Sequence, residues 1–298
     1  MNILISGGTG FIGQELRTLL LKQGHDLVIL TRSPEKYKDE SAKNQRFVSW
    51  DDNLPGLMND VDAVVNLAGE NIFALRWTPE KKERILNSRI KTTRTLVEAM
   101  KEAGDKPVAF VSSSGANVYG DRGDEVLDEN EPPADDFLAD VCIQWEQEAE
   151  KATEFGVRVA NPRTGVVLEK EGGALEKMLL PFRMGVGGPI GPGTQYMSWI
   201  HRTDLCRSII FAIENEEMQG PYNACAPNPV TMNEFSKTLA ATLNRPAIFK
   251  VPEFIIETAL GEVSKLVIDS VRMQPKKLQV AGFDFQFEEL EEALADIV

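Results

Sequence analysis

Short apolar runs alternate with amphipathic stretches along the first two thirds of the chain. Asn2–Ser6, Asp26–Thr31, Arg46–Ser49, Asp62–Asn66, Pro107–Ser113 and Val157–Thr164 read as strands. Runs such as AVVNL and VAFVS are nearly continuously apolar instead of alternating, as expected for strands covered on both faces of a parallel sheet. Between them the period becomes helical. Phe11–Gln23 carries Ile12, Leu16, Leu19 and Leu20 on one side, and Thr78–Ala103 and Ala134–Phe155 are further helices. Thr78-Pro79 pairs a cap residue with proline at the first helical position. Strands alternating with helices of this length predict an α/β fold built on a doubly wound parallel sheet.

After about Thr164 the pattern changes. Gly172–Gly193 is rich in Gly and Pro (GGPIGPG) and is expected to be a loop over a site. Amphipathic helices are predicted at Thr203–Glu214 and Thr231–Asn244, with a largely helical tail from Pro252. With no internal repeat or low-complexity linker, the last third is expected to pack on the sheet as a small, mostly helical C-terminal lobe.

The 298 residues are 42% hydrophobic and 26% charged, which excludes collagen, coiled coil and wholesale disorder. Lys+Arg 32 against Asp+Glu 46 gives 32 − 46 = −14. Such a surface repels nucleic-acid phosphates and anionic lipid, so neither nucleic acid nor membrane is an expected partner. A small anionic ligand in a locally basic pocket is still allowed. Cys142, Cys206 and Cys225 are odd in number and form no Cys-x-x-Cys pair, which argues against a disulfide framework or a structural zinc site. The sequence opens without a basic n-region, and no apolar run approaches the ~18–20 residues of a membrane span. A cytoplasmic location is expected.

Gly7-Gly8-Thr9-Gly10-Phe11-Ile12-Gly13 follows one predicted strand and opens a predicted helix. Gly7 allows the sharp turn, Gly10 lets a pyrophosphate approach the backbone, and Gly13 lets helix and strand pack closely. The helix N-terminus adds free N–H donors and a positive partial charge. In this context the motif predicts a dinucleotide cofactor and a Rossmann-type fold. At the end of the second strand an NAD-selective site places an acidic residue, but Thr31-Arg32-Ser33 stands here. Arg32 is either a solvated charge or a partner for a 2′-phosphate, to which Thr31 and Ser33 can donate. The fork geometry of arginine favours the second, hence NADP(H). Residues 1–165 are then expected to form the NADP-binding domain, its sheet completed by parts of 197–230, and residues 166–298 the substrate lid and C-terminal lobe.

GGTGFIG, NLAGENI (Asn66–Ile72) and SSSGANVYG (Ser112–Gly120) resemble an extended short-chain dehydrogenase/reductase. RWTPEKK, SRIKTT, DRGDE, GGPIGPG, SWIHRTDL and NACAPNPVT narrow the resemblance to an atypical "epimerase family" of nucleotide-sugar-epimerase-like proteins. The segment Leu260–Phe285 resembles that family's C-terminal domain of unknown function. The resemblance spans nearly the whole chain and implies NADP binding, with Leu67, Ala68 and Gly69 lining the adenosine and pyrophosphate. It also implies that Arg89 faces the cofactor and that Pro162 and Arg163 sit near the nicotinamide. For each, a packing or ion-pair role is the alternative.

Ordinary members of the superfamily use Ser with Tyr-x-x-x-Lys, whose tyrosinate exchanges a proton while hydride moves. None of Tyr37, Tyr119, Tyr196 or Tyr222 is followed four residues later by lysine. Alignment within the helix FLADVCIQWEQEAE puts Leu138 at the tyrosine position and Cys142 at the lysine position. Cys142 reads as a buried thiol instead of a nucleophile. Ser114, at the superfamily's serine position, and Tyr119 are the catalytic candidates. Glu70, Arg76 and Trp77 follow the fourth strand at the carboxyl edge, where ligands bind in such sheets. With Gln195, Trp199 and His201 they are candidate substrate contacts, His201 having a structural alternative beside Asp204. The expected activity is an oxidoreductase or epimerase-like reaction on a small polar or nucleotide-linked substrate. A non-catalytic NADP(H) sensor or scaffold is the rival, and a homodimer is compatible with either.

Overall fold

The computed structural model describes every residue except Ala74, Leu75 and Ile248. Seven strands run across one parallel sheet, which a two-residue eighth strand, Ser114–Gly115, joins: β1 (Asn2–Ser6), β2 (Asp26–Thr31), β3 (Gln45–Ser49), β4 (Ala63–Asn66), β5 (Ala109–Ser112), β6 (Arg158–Thr164) and β7 (Gly220–Ala224). Their order is β7-β6-β5-β4-β1-β2-β3, so the winding reverses between β1 and β4. Ligands bind beyond the carboxyl ends of strands at such a reversal.

Helices α1 (Phe11–Lys22), α2 (Pro79–Glu102), α3 (Phe137–Glu150), α4 (Gly173–Arg183), α5 (Arg202–Glu214), α6 (Met232–Thr242), α7 (Glu253–Leu260) and α8 (Leu290–Ile297) surround it. Leu16 and Leu20 of α1 and Leu205 and Ile209 of α5 meet Ile3, Ile5 and Ile29 on one face. Leu96 and Met100 of α2 and Ala149 of α3 meet Leu4, Val64 and Phe110 on the other. Both faces are therefore covered, as the nearly continuous apolar strands require. Thr78 caps α2, its side chain accepting from the Lys81 N–H. Asp136 caps α3, which starts it at Phe137, later than the period alone suggested.

The stretch expected as a loop over residues 172–193 contains α4. Leu175, Leu179 and Phe182 lie one and two turns apart and are buried with Trp199, Phe235, Leu239, Leu290 and Leu294 in a separate core. Burial of that stripe outweighs the glycines around it, and Pro181 is tolerated in the last turn. The chain then returns to the sheet: Leu278 and Phe285 join the core beneath α5.

Candidate active site

The turn after β1 is closed by backbone contacts that only glycine permits. At Gly7 φ is +73°, and a Cβ there would stand 2.8 Å from the Leu67 carbonyl carbon. At Gly13 a Cβ would lie 2.4 Å from the Gly7 oxygen and 2.5 Å from the Gly8 Cα. Helix α1 thus begins directly against the turn. Gly10 caps it without a side-chain acceptor, and its first turn holds no acid. The N–H groups of Phe11 and Ile12 therefore have no intrahelical acceptor and keep the positive helix end open to an anion. The Phe11 ring lies against Gly172, where a Cβ would come within 2.7 Å, and under the Arg202 guanidinium, 5.3 Å from the ring centroid. Thr9 turns its carbonyl to Gln14 Nε2 at 3.1 Å.

Arg32 is exposed just past the end of β2 and makes no side-chain hydrogen bond or ion pair among the described residues. Neither Thr31 nor Ser33 is acidic. Past β4, Leu67 donates its N–H to the Ser6 carbonyl at 3.0 Å and Ala68 to Asn66 Oδ1 at 3.3 Å. Glu70 accepts from Lys81 Nζ at 2.6 Å. That bond, with the nearby charges of Lys81, Arg84 and Arg32, holds its carboxyl below the usual range. A chain of charge −14 therefore gathers arginine and lysine at this edge. The glycine cradle, the open helix end and the unpaired Arg32 fit a dinucleotide with a phosphorylated ribose.

Beyond β5 the two-residue strand Ser114–Gly115 pairs with β6, setting Ser114 opposite Arg163. Ser114 Oγ donates to Glu146 Oε1 at 2.6 Å. Arg163 grips the same carboxylate with Nε at 3.0 Å and Nη2 at 2.9 Å, while its Nη1 reaches Tyr119 Oη at 3.0 Å. Tyr119 in turn donates to Asn223 Oδ1 at 2.8 Å. Burial pushes its phenol up to about 12 against the opposing charge of Arg163. Tyr119 is fully buried and its hydroxyl is enclosed by these partners, so the structure makes it a wall of the site. Arg163, expected at the nicotinamide, is committed to Glu146. Pro162 stands opposite Tyr222 across β6 and β7.

Sequence reasoning missed Glu146. Leu138, Cys142 and Glu146 recur every four residues along α3 and share one face. Extending the family alignment by a single turn would have reached it. Leu138 is buried with Trp77, Val141 and Val263. The Cys142 thiol lies 3.7 Å from the Gly115 carbonyl, and burial, reinforced by the Glu146 charge, pushes it up to about 11. Arg89 of α2 extends over Trp145, its Cζ 5.0 Å from the ring centroid, and against Gly69.

The remaining expected contacts divide. Glu70 lines the same edge as Arg89, giving its carbonyl to Arg89 Nη1 at 3.1 Å. Trp77 is buried, its indole N–H on the Ile72 carbonyl at 2.9 Å, and Arg76 Nη2 ties the segment to the Thr258 carbonyl of α7 at 2.5 Å. Gln195, Trp199 and His201 are not brought to the Ser114 cluster. Gln195 Nε2 bonds the Ile190 carbonyl at 2.8 Å, Trp199 Nε1 the Asn228 carbonyl at 3.0 Å, and His201 Nδ1 accepts from the Thr203 N–H at 3.1 Å. All three are buried and spend these polar atoms within the lobe.

Among the described residues no cluster of three or more His, Cys, Asp or Glu is placed to hold a metal, and no helix is long and apolar enough to cross a membrane. Residues 3–225 match the NAD dependent epimerase/dehydratase family, and residues 251–297 match a domain of unknown function (DUF1731). The epimerase family protein YfhF of Bacillus subtilis is 39% identical over 306 residues, covering 100% of this chain and 98% of that protein. The crystal structure of human epimerase family protein SDR39U1 with NADPH superposes with a TM-score of 0.90 at 34% identity, covering 100% of this chain and 99% of the other. The nucleoside-diphosphate sugar epimerase of Corynebacterium glutamicum gives 0.80 at 32% identity, covering 100% of this chain and 58% of that one.

Proposed function

The chain belongs to the NAD dependent epimerase/dehydratase family, and on that premise we propose that it binds NADP(H) and works as an oxidoreductase or epimerase-like enzyme on a small polar substrate. The observation that carries the cofactor assignment is the cradle of Gly7 and Gly13 beneath an uncapped, acid-free helix end. Gly7, Thr9, Gly10, Phe11, Ile12 and Gly13 would hold the pyrophosphate. Thr31 and Arg32 would hold the 2′-phosphate, and Leu67, Ala68 and Gly69 would line the adenosine side. The NADPH of the human relative agrees with this reading. When bound, the cofactor supplies or accepts a hydride at its nicotinamide ring.

The protein's own part is proton handling. Ser114 Oγ has its hydrogen committed to Glu146 Oε1, so it presents lone pairs to a substrate hydroxyl. As that hydroxyl is oxidised, its proton passes to Ser114 Oγ while the serine proton moves to Glu146. Reduction of a carbonyl runs the relay backwards. Arg163 fixes both carboxylate oxygens and sets the geometry of the pair.

The test couples binding to turnover. NADPH fluorescence titration should show binding at least about tenfold tighter than NADH, and Arg32→Ala should erase the difference. Equal affinity in the unmutated protein would sink the 2′-phosphate assignment. NADPH consumption across aldehydes, ketones, quinones and sugar nucleotides should then be lost in Ser114→Ala without loss of NADPH affinity. A second reading, a non-catalytic NADP(H) sensor, is favoured by one observation: Leu138 and Cys142, buried, stand where tyrosine and lysine are expected. Tight NADPH binding with no turnover on any of these classes would favour it.

A further inference from the structure

Trp145 of α3 is laid over the side of α2 that carries Arg89. Arg89 and Thr93 are four residues apart on α2 and so share a face. The Trp145 ring lies under the guanidinium, its centroid 5.0 Å from Cζ, and its indole N–H donates to Thr93 Oγ1 at 2.9 Å. Both Trp145 and Thr93 are buried. The acceptor is itself fixed, since Thr93 Oγ1 also accepts from Asn66 Nδ2 at 2.8 Å, and Asn66 Oδ1 accepts from Ser6 Oγ at 2.6 Å. The bond to Thr93 therefore sets the plane on which the arginine rests.

Backbone holds Arg89 from the other side. A Cβ on Gly69 would stand 3.1 Å from its Cζ and 3.2 Å from Nη2. Nη1 donates to the carbonyls of Glu70 at 3.1 Å and Ile85 at 3.0 Å. Residues 67–69 in turn abut the phosphate turn, because a Cβ on Gly7 would lie 2.8 Å from the Leu67 carbonyl carbon. The neighbouring carboxylates are taken, Glu70 by Lys81 at 2.6 Å and Glu146 by Arg163 at 2.9 Å. Arg89 is thus a cation without a carboxylate of its own, set beside the dinucleotide cradle. A free arginine gives up rotamer freedom when it grips an anion. One already clamped between an indole and a glycine has lost that freedom before the ligand arrives.

We infer that Trp145 is a positioning residue for the cofactor: pinned on Thr93, it holds the Arg89 guanidinium against Gly69 in the orientation that meets the dinucleotide. This rests on the NADP(H) site proposed above, with Arg89 facing it. Trp145 immediately precedes Glu146, so neighbouring residues of α3 set the cofactor arginine and the acid of the proton relay.

The test is a thermodynamic cycle on NADPH affinity, read by fluorescence titration of the full chain. Arg89→Ala should weaken NADPH by more than about tenfold, as loss of a charge-assisted contact requires. Trp145→Leu, apolar but without an aromatic face, should weaken it by about five- to tenfold. In the Arg89→Ala background the same change should cost less than about twofold, because the platform then carries nothing. Trp145→Phe keeps a face but not the N–H. Its loss should be smaller and should also vanish beside Arg89→Ala, so it closes the cycle if Trp145→Leu does not fold. Equal losses in the two backgrounds would make Trp145 a packing residue and overturn the inference. So would unchanged affinity in Trp145→Leu beside a weakened Arg89→Ala. Unchanged affinity in Arg89→Ala would remove the arginine from the cofactor, and the inference with it. No NADPH binding by the wild type would overturn the proposed function itself.

Discussion

Arg163 holds both oxygens of the Glu146 carboxylate, and both side chains are largely buried, at 9% and 14% exposure. Removing one partner of such a pair strands the other charge in the interior. Arg163→Met should therefore lower the unfolding free energy by about 3–5 kcal/mol in urea titrations. The double variant Arg163→Met/Glu146→Leu, which removes both charges, should recover more than half of that loss. A double variant as unstable as the single one would mean that hydrogen bonds to Tyr119 and Ser114, and not the charge pair, dominate.

Glycine at position 13 is needed for contact, not for conformation. Its Cβ would meet the Gly7 oxygen at 2.4 Å, whereas Gly24, at φ +82°, has nothing within 4 Å. Gly24→Ala should cost about 1–2 kcal/mol of backbone strain and leave NADPH affinity unchanged. Gly13→Ala should push α1 off the turn and abolish NADPH binding. Retained binding in Gly13→Ala would show that the helix end is not where the phosphates lie.

Local signals made the frame of the fold legible. Asp26–Thr31 is a strand to the residue, and Thr78-Pro79 starts α2 as a cap and first-turn proline should. Where the sequence reading failed, one strong local cue masked a weaker periodic one. Between 172 and 193 the glycines dominated, although Leu175, Leu179 and Phe182 mark a helix whose burial depends on α6 and α8, far along the chain. The active site divides in the same way. Ser114 is found by its place after β5, but its partner lies 32 residues away, and the Tyr119–Asn223 bond spans 104. No spacing rule encodes such pairings. They follow only once β5, β6 and β7 lie side by side.

The three cysteines should be inert in the native protein. Burial pushes Cys142 up to about 11 and raises Cys206 and Cys225 as well. Since the thiolate is the nucleophile, an aromatic disulfide reagent at about pH 8 should label none within minutes and all after urea unfolding. Rapid native labelling of Cys142 would show that the Ser114–Gly115 turn opens in solution.

His201 links α5 to the last helix through a neutral ring. Its Nδ1 accepts the Thr203 N–H, so the ring proton sits on Nε2, which faces Asp296 Oδ2 at 3.4 Å, and Phe287 stacks at 4.0 Å. Burial lowers its pKa, and the carboxylates of Asp296, Asp204 and Glu169 oppose that only in part. Above about pH 6.5 the ring is neutral in folded and unfolded chains alike, and its contribution to stability is fully present. As pH falls below that value, the unfolded chain binds a proton first, and the contribution is lost at up to about 1.4 kcal/mol per pH unit. His201→Asn keeps an oxygen for the Thr203 N–H but cannot titrate. The stability gap between wild type and variant in urea should therefore be largest near neutral pH and close as the solution is acidified towards about pH 5. A gap that widens on acidification would mean that the folded protein favours the imidazolium, with Asp296 as its counter-ion. In that case the Nδ1 acceptor that caps α5 would be lost, and the start of that helix would have to be held by the Asp204 carboxylate instead.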